Sequence, residues 1–484
     1  MTTAEFGAFT DERPWRDMLP PAVFAGLSEW VQGQGFNLMH RRWLTDGHSG
    51  SYVALVLVHP ARGSVTGAVL KLLPPSLASR EARACNLAWQ LSPKPFAAAH
   101  LVRSWYTGPL AGTERWWVQL QEMGQAELAD VRPLDRLSGD ASFGNYCATV
   151  IEGIVNGWNP GTDDSAPVLV NAGQFVRDDL GNRAREVQAF VAAAGMGVEP
   201  AEGIRFAHRQ DTLPDPLALF DAEASQPEVV VFRGNGHGDL HPGNVLVPVD
   251  DCVRADRFRL IDYGRFSSSM PVSRDPVKLA LSAVAASVDF AADPGANSPA
   301  AEAVAAPAAT SDRRYACATY IYTAAQAWAR RRQVVAEFAR QHRLVLVASA
   351  LRTVGRPELR HAERLWHLEV AALALRELLT DHPIALGGGL GAAASDEPAA
   401  SGSPAEYSPA VKREFCRRLA DDWRDLADEL NIPAYQRTRF RRGDEVRAVW
   451  EWAEVRGLLS RLPALLRTIG REDLALLFEP PSWP

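Results

Sequence analysis

The feature that most constrains this chain is a pair of short motifs joined by a single connection. The first motif, residues 237–244, reads HGDLHPGN, and the second, residues 260–264, reads LIDYG. Short runs of apolar and β-branched residues lie before and after the first motif and lead into the second, which is typical of short strands. Asp239 and Asn244 therefore lie on one loop that contains glycine and proline, and Asp262 follows the next strand.

These three side chains form a set that phosphoryl transfer uses. The reaction needs a carboxylate that orients and deprotonates the attacking hydroxyl, and oxygen ligands that hold magnesium against the triphosphate. Ligand sets made only of oxygen suit magnesium, which keeps several of its waters. Each Asp-Gly or Pro-Gly pair taken alone is ordinary turn chemistry. The whole string, placed between strands, favours the functional interpretation.

Both motifs resemble the catalytic and metal-binding motifs of the aminoglycoside phosphotransferase and choline kinase superfamily, distant relatives of protein kinases. The resemblance implies ATP bound between two lobes, with Asp239 as the catalytic base and Asn244 and Asp262 as magnesium ligands. His237 would brace the loop through hydrogen bonds. His241 stands where protein kinases carry a lysine that touches the transferred phosphate. The alternative for His241 is a loop histidine bonded to backbone.

Two further features follow from the same resemblance. Asp275 occupies a place where the superfamily often has an aspartate that ties down the catalytic loop, although an Asp before a Pro also starts helices. The connection 246–260 is longer than the usual hairpin of the family. We expect a longer tip to be harmless if it points to solvent.

The resemblance also predicts a lysine on a strand and a glutamate on the next helix. Lys71 lies inside the apolar run 68–73, where an unpaired ammonium would be costly. Only four of the 51 basic residues are lysines, namely Lys71, Lys94, Lys278 and Lys412. A lysine on this strand therefore suggests a need for a compact point charge. Glu81 is the candidate partner, and the pair would hold the α- and β-phosphates. The alternative is a lysine on the solvent face of the strand.

Two more nucleotide contacts are predicted from their positions. The turn 46–51 is rich in glycine and serine, so its backbone N–H groups can approach phosphates closely, although a plain hairpin turn looks the same. A hinge that bonds adenine should follow the strand 116–120. No GxxxxGK[ST] motif occurs in the sequence, which excludes a P-loop. The candidate contacts are Gly47, Ser49 and Gly50 in the turn, and Glu122 and Met123 in the hinge.

Composition and charge exclude several other classes of protein. The net charge of −7 argues against a chain devoted to nucleic acid or to anionic membranes, so the basic clusters 330–332 and 437–442 are interpreted as solvated helix faces. No stretch approaches the roughly 18 apolar residues of a spanning helix, and the N-terminus does not resemble a signal peptide. Five scattered cysteines indicate reduced thiols and no zinc site. We therefore expect a cytoplasmic protein.

The predicted fold class is α+β, in the form of a two-lobed kinase-like fold. Its N-lobe is small, mostly antiparallel β with one helix, and its C-lobe is large and helical. A helical C-terminal region follows a linker rich in glycine, alanine and serine. The predicted segments are a helical extension at 1–34, the N-lobe at 35–124, the C-lobe with a helical insertion at 125–386 (flexible at 291–310), the linker at 387–405 and the C-terminal region at 406–484.

The function predicted from these patterns is that of an ATP- and Mg-dependent phosphotransferase acting on a hydroxyl of a small molecule. Two alternatives remain open from the sequence. One is a kinase-like module for interaction or regulation in a multi-component system, with a protein partner at the C-terminal helical region. The other is a protein kinase, which the glycine at position 238 and the large helical insertion disfavour.

Overall fold

The computed structural model describes most of the chain, which divides into two compact units, Met1–Gly389 and Leu390–Pro484. Each unit is treated by itself below. The described residues are 8–44, 51–60, 63–113, 116–124, 131–160, 167–196, 203–220, 227–292, 294–307, 312–380, 409–419, 423–430, 432, 445–455, 458–468 and 471–478.

The N-terminal unit begins with two helices and an antiparallel sheet of five strands in the order β1-β2-β3-β5-β4. Two helices lie between β3 and β4, where the sequence predicted one. The elements are α1 (Arg13–Met18), α2 (Pro21–Gln34), β1 (Phe36–Trp43), β2 (Tyr52–Pro60), β3 (Thr66–Leu73), α3 (Pro75–Leu91), α4 (Lys94–His100), β4 (Arg103–Pro109) and β5 (Trp117–Gly124).

Both faces of this sheet are covered, which explains its nearly continuous apolar strands. Leu70 and Leu72 of β3 belong to a core shared with α2. Val69 belongs to a second core, shared with α3 and the helical remainder of the unit. Because side chains alternate along a strand, Lys71 lies on the same face as Val69, and it stands opposite Gln119 of β5. The sheet therefore turns Lys71 toward the rest of the unit.

Short strands surround the two motifs. They form a three-stranded sheet in the order β11-β10-β6 and the antiparallel pairs β12-β9 and β7-β8. Several of these segments are polar, such as RGNG and SSSMP. They lack the alternation of apolar and polar residues by which a strand is recognised in a sequence. The strands are β6 (Val131–Pro133), β7 (Val168–Asn171), β8 (Glu228–Val231), β9 (Arg233–Gly236), β10 (Val245–Pro248), β11 (Arg259–Leu260) and β12 (Ser267–Pro271).

The remainder of the unit is mostly helical, so the α+β prediction holds with an antiparallel sheet in the N-terminal part. A π-helical turn continues α5 to Trp158, and α11 packs alongside α12. The helices are α5 (Phe143–Gly153), α6 (Ala172–Leu180), α7 (Arg183–Ala193), α8 (Arg274–Ala285), α9 (Pro294–Ala305), α10 (Ala316–Arg331), α11 (Val335–Val354) and α12 (His361–Thr380).

The prediction of a flexible stretch at 291–310 is wrong for residues 294–305, which form α9. Ala300, Ala301 and Val304 are buried in the main core. Alanine has the highest helix propensity, and its small side chain permits close approach to a neighbouring helix. The indole N–H of Trp366 on α12 donates a hydrogen bond to the Asn297 carbonyl at 3.3 Å. The alanine-rich composition therefore serves helix packing in this segment.

The described part of the C-terminal unit is helical and has its own core. The indole of Trp450 contacts the rings of Phe415 and Phe478, with centroid distances of 5.1 and 5.9 Å. None of the helices described in either unit is long and apolar enough to cross a membrane. The α-helices among the described residues of this unit are Pro409–Leu419, Trp423–Glu429, Glu445–Val455, Leu462–Thr468 and Glu472–Ala475.

Candidate active site

The first motif forms the loop between β9 and β10, and His237 braces it as expected. The imidazole is fully buried. Its Nε2–H donates a hydrogen bond to the Ile261 carbonyl at 2.8 Å, and its Nδ1 accepts one from the Asp239 backbone N–H at 3.3 Å. Because one ring nitrogen donates and the other accepts, a neutral imidazole satisfies both bonds. His237 therefore ties the loop to the strand that precedes Asp262.

Asp275, in the first turn of α8, anchors the same loop. Its carboxylate is buried and accepts hydrogen bonds from the backbone N–H groups of His237 at 2.7 Å and Gly238 at 2.9 Å. Gly238 has φ +78°, and a Cβ there would lie 2.4 Å from the Arg265 carbonyl oxygen. Only glycine fits this close approach. The glycine that the sequence placed beside Asp239 is therefore a steric requirement of the loop.

Asp239 sits between two cations. Its Oδ1 lies 3.3 Å from Lys278 Nζ, and its Oδ2 lies 3.4 Å from Arg265 Nε. Burial raises the pKa of the Asp239 carboxyl, but the charges of Lys278 and Arg265 outweigh that effect and hold the pKa at about 2. A carboxylate this acidic is a weak base. Such a carboxylate can accept a hydrogen bond from a hydroxyl group and orient it.

The two proposed magnesium ligands lie on adjacent backbone segments. The Ile261 backbone N–H donates to the Asn244 carbonyl at 3.1 Å, so Asn244 is held next to the segment that ends in Asp262. The Asn244 Nδ2 donates a hydrogen bond to the Asp239 carbonyl at 3.0 Å. This bond does not use the amide oxygen of Asn244. Asp262 has φ +68°, a conformation that Asp adopts more readily than most residues and that marks strained functional positions.

Lys71 connects the sheet with the second motif. It is 1% exposed, so the alternative of a solvent-facing lysine is wrong. Its ammonium forms an ion pair with Glu81 of α3 and lies 3.7 Å from Asp262 Oδ1. Burial alone would lower the pKa of Lys71, but the Asp262 and Glu81 carboxylates outweigh it and raise the pKa. Lys71 is therefore a fixed positive charge next to a half-exposed carboxylate.

The remaining predicted site residues are His241, the glycine turn and the two hinge residues. Burial lowers the pKa of His241, opposed by Asp239, so its imidazole is neutral at pH 7. The glycine turn with Gly47, Ser49 and Gly50 lies outside the described residues. The side chain of Met123 also lies outside them, and Glu122 is exposed.

The predicted hinge is not a connecting loop. Residues 121–124 are the end of β5, and Glu122 pairs with Ala68 of β3 and Arg103 of β4. The predicted strand ended too early because Gln121 is polar, although its side chain is fully buried. That Glu122 and Met123 contact a nucleotide remains a prediction.

Sequence reasoning missed Lys278 and Arg265 as site residues. One signal was available, because two of the chain's four lysines, Lys71 and Lys278, lie in the site. Arg265 directly follows the second motif, but its contact with Asp239 depends on the tertiary fold. Neither residue belongs to the motifs themselves.

The donor set fits magnesium. Among the residues that the structure describes, no group of three or more His, Cys, Asp or Glu side chains could hold a metal ion. Magnesium, however, is usually held by one or two protein carboxylates together with substrate phosphates and waters. The Asp262 carboxylate, whose side chain is 47% exposed, and the Asn244 amide oxygen are hard oxygen donors of that kind.

The burial of Lys278 predicts a pH-dependent stability. Burial lowers the pKa of Lys278 from 10.5 to about 8, although Asp239 opposes this. Between pH 8 and pH 10.5, Lys278 is protonated in the unfolded chain but largely deprotonated in the folded chain. The free energy of unfolding should therefore rise with pH, by up to about 1.4 kcal/mol per unit from this group.

Denaturant unfolding from pH 8 to 10 measures this effect. The rise should disappear in Lys278→Met and persist in Lys94→Met, which removes an exposed lysine. An equal rise in all three proteins would contradict the assignment.

Comparisons with known proteins give two findings. The family model of Bacterial Death-like domain 3 matches residues 409–480, within the C-terminal unit. Among solved structures, the chain is similar to an ethanolamine kinase of Plasmodium vivax, with 8% identity, a TM-score of 0.33, and coverage of 76% of this chain and 86% of that chain. A likeness at that TM-score carries no argument here. No curated protein matches the chain.

Proposed function

We propose that the N-terminal unit is a two-lobed, kinase-like phosphotransferase that moves the γ-phosphate of ATP to a hydroxyl of a small molecule. One observation carries the proposal. Lys71 on β3 contacts both Glu81 on α3 and Asp262 in the second motif, so a buried cation connects the sheet with the proposed metal-binding segment. If Lys71 had only a structural role, an apolar side chain would serve equally well, because its strand is buried on both faces.

Each residue then has a distinct task. Asp239 accepts a hydrogen bond from the acceptor hydroxyl and receives its proton, while Lys278 and Arg265 fix the carboxylate in place. Lys71 contributes positive charge where the α- and β-phosphates would lie. Magnesium, held by Asn244 and Asp262, would neutralise charge on the phosphates. Asp275 and His237 hold the catalytic loop in position through hydrogen bonds.

Asp262→Asn should remove magnesium-dependent stabilisation by ATP. Asparagine keeps the shape and tolerates a positive φ, so the fold should survive the loss of the carboxylate charge. For the unchanged protein, ATP at about 100 times its Kd should add about 2.7 kcal/mol to the free energy of unfolding. Thermal-shift scans with ATP, with and without magnesium, measure the difference.

The matched control is Asp256→Asn, because Asp256 lies on the connection between the motifs and is 61% exposed. This variant should behave like the unchanged protein. Full magnesium-dependent stabilisation in Asp262→Asn would remove Asp262 from the metal site.

A second candidate function belongs to the C-terminal unit. Its match to a Death-like domain over residues 409–480 favours a role in recruiting a protein partner. If the unchanged protein bound no Mg-ATP, the kinase-like unit would be better explained as part of such an interaction or regulatory system. A nucleotide-binding measurement on the whole chain thus separates the two candidates.

A further inference from the structure

A cavity of about 190 Å³ shares one lining residue, Lys278, with the candidate active site. It lies among α8, α12 and the segment that follows α11. Lys278 is on its wall, and the same ammonium lies 3.3 Å from Asp239. A molecule in this cavity would therefore be one side chain away from the proposed base. Its polar lining consists of Lys278, Ser282, Thr353, Arg356, Glu363 and His367.

Two lining side chains carry buried nitrogen atoms without a hydrogen-bond partner among the described residues. They are Nδ1 of His367, a residue only 4% exposed, and Nε of Arg356. A buried polar group left without a partner is unfavourable, so a molecule that bonds to it gains affinity. Burial, with the charges of Lys278 and Arg356 adding to it, lowers the pKa of His367 to about 3, so this imidazole is neutral. Both side chains therefore lack partners that a bound molecule would supply.

The charges around the cavity favour an anion. Lys278 and Arg356 are on the wall, and Arg265 is close enough that both arginines lower the pKa of Lys278. The opposing charges are Asp239, which the catalytic step uses, and Glu363. Burial raises the pKa of Glu363, against the pull of Arg360 and Arg356. An ammonium-bearing compound would meet two cations here, whereas a carboxylate or phosphate would meet two donors.

We propose that this cavity binds the anionic end of the acceptor, so that the acceptor is a small hydroxyl compound bearing a carboxylate or phosphate. This specificity rests on the phosphotransferase function proposed above. In the transfer, the acceptor oxygen bonds to the γ-phosphorus as the bond from that phosphorus to the β,γ-bridging oxygen breaks. ADP leaves, and the hydroxyl proton passes to the Asp239 carboxylate. The cavity is smaller than the roughly 300 Å³ at which sites for drug-sized ligands begin, which suits a compact anionic group.

The test compares four compounds of similar size, namely glycerate, glycerol phosphate, glycerol and serinol. Calorimetry on the whole chain, with magnesium and a non-hydrolysable ATP analogue present, gives each Kd. Both anions should bind at least about tenfold more tightly than neutral glycerol or cationic serinol. Arg356→Gln should weaken anion binding by roughly tenfold to a hundredfold and leave glycerol unchanged. Comparison of glycerate with glycerol phosphate distinguishes the two anionic groups.

Two controls keep the result interpretable. Arg330→Gln removes an exposed arginine on α10 and should change nothing. Arg356→Lys keeps the positive charge and should retain part of the anion affinity, which shows that loss in Arg356→Gln is not a folding defect. Binding of serinol or glycerol as tightly as the anions, no saturable anion binding, or an unaltered Arg356→Gln would each overturn the proposal.

Mg-ATP affinity and ADP release, measured in parallel, separate this failure from a failure of the proposed function. A protein that binds Mg-ATP and phosphorylates glycerol or serinol, with no preference for anions, refutes the specificity alone. A protein that binds no Mg-ATP refutes the function as well.

Discussion

Asp239→Asn should reduce phosphoryl transfer by a factor on the order of 10² or more and leave Mg-ATP binding nearly unchanged. Asparagine keeps the size of the side chain, so the hydroxyl can still be positioned, but the amide cannot take its proton. Lower negative charge near the triphosphate reduces repulsion, so nucleotide affinity should stay equal or rise slightly. Steady-state ADP release and equilibrium ATP binding, measured on the same preparation, test both parts.

The loss of charge at Asp239 also leaves Lys278 and Arg265 without their carboxylate partner. A melting scan without nucleotide should therefore accompany the kinetics, so that a loss of stability is recognised. Asp256→Asn again serves as the matched control. The informative contrast is with Asp262→Asn, which should lose binding and turnover together. If both variants lost only turnover, or both lost nucleotide binding, the roles given to the two carboxylates would be unsupported.

Lys71→Met should weaken Mg-ATP binding by roughly tenfold to a hundredfold, because a charged contact to the phosphates is removed. Methionine fits an apolar strand, but it leaves Glu81 as a buried carboxylate without its cation. Removing one partner of a buried pair costs about 3–5 kcal/mol unless the survivor takes up a proton. The single variant alone would therefore mix a nucleotide effect with a stability effect.

The double variant Lys71→Met/Glu81→Gln separates these effects, because it removes both charges. We expect it to recover stability relative to Lys71→Met and still to bind Mg-ATP poorly. Lys71→Arg should also bind poorly, since a planar guanidinium does not reproduce a point charge. Lys94→Met is the control for loss of a lysine. Nucleotide affinity that survives in the double variant would exclude Lys71 from phosphate binding.

Part of this site could be predicted because its signals are local. Asp239 and Asn244 share one loop, and Asp262 follows the next short strand, so spacing alone brings them together. Lys71 stood out because a rare residue type occurred in an apolar run, and Glu81 was a candidate on the next helix. These positions follow from local patterns together with the family resemblance, without knowledge of contacts between distant segments.

The remainder depends on contacts between distant segments. Lys278 meets Asp239 because α8, whose first turn carries Asp275, packs against the loop through that aspartate. The end of β5 was misplaced because Gln121, although buried, is a polar residue of the kind found in loops. The helix at 294–305 was missed because an alanine- and proline-rich composition also occurs in unstructured linkers. In each case the sequence pattern is ambiguous and packing decides the outcome.

The scarcity of lysine has a consequence for the chemical reactivity of the protein. Besides Lys71 and Lys278, the side-chain amines are Lys94, which is exposed, and Lys412, which lies 3.0 Å from Glu454. A primary amine is nucleophilic only without its proton, and the pKa of Lys278 of about 8 leaves more free amine at neutral pH than an ordinary lysine has. Because arginine does not acylate under mild conditions, reagents selective for amines would act on this chain at very few side chains. One of those few is beside the proposed base, so its protection from acylation would report occupancy of the site directly.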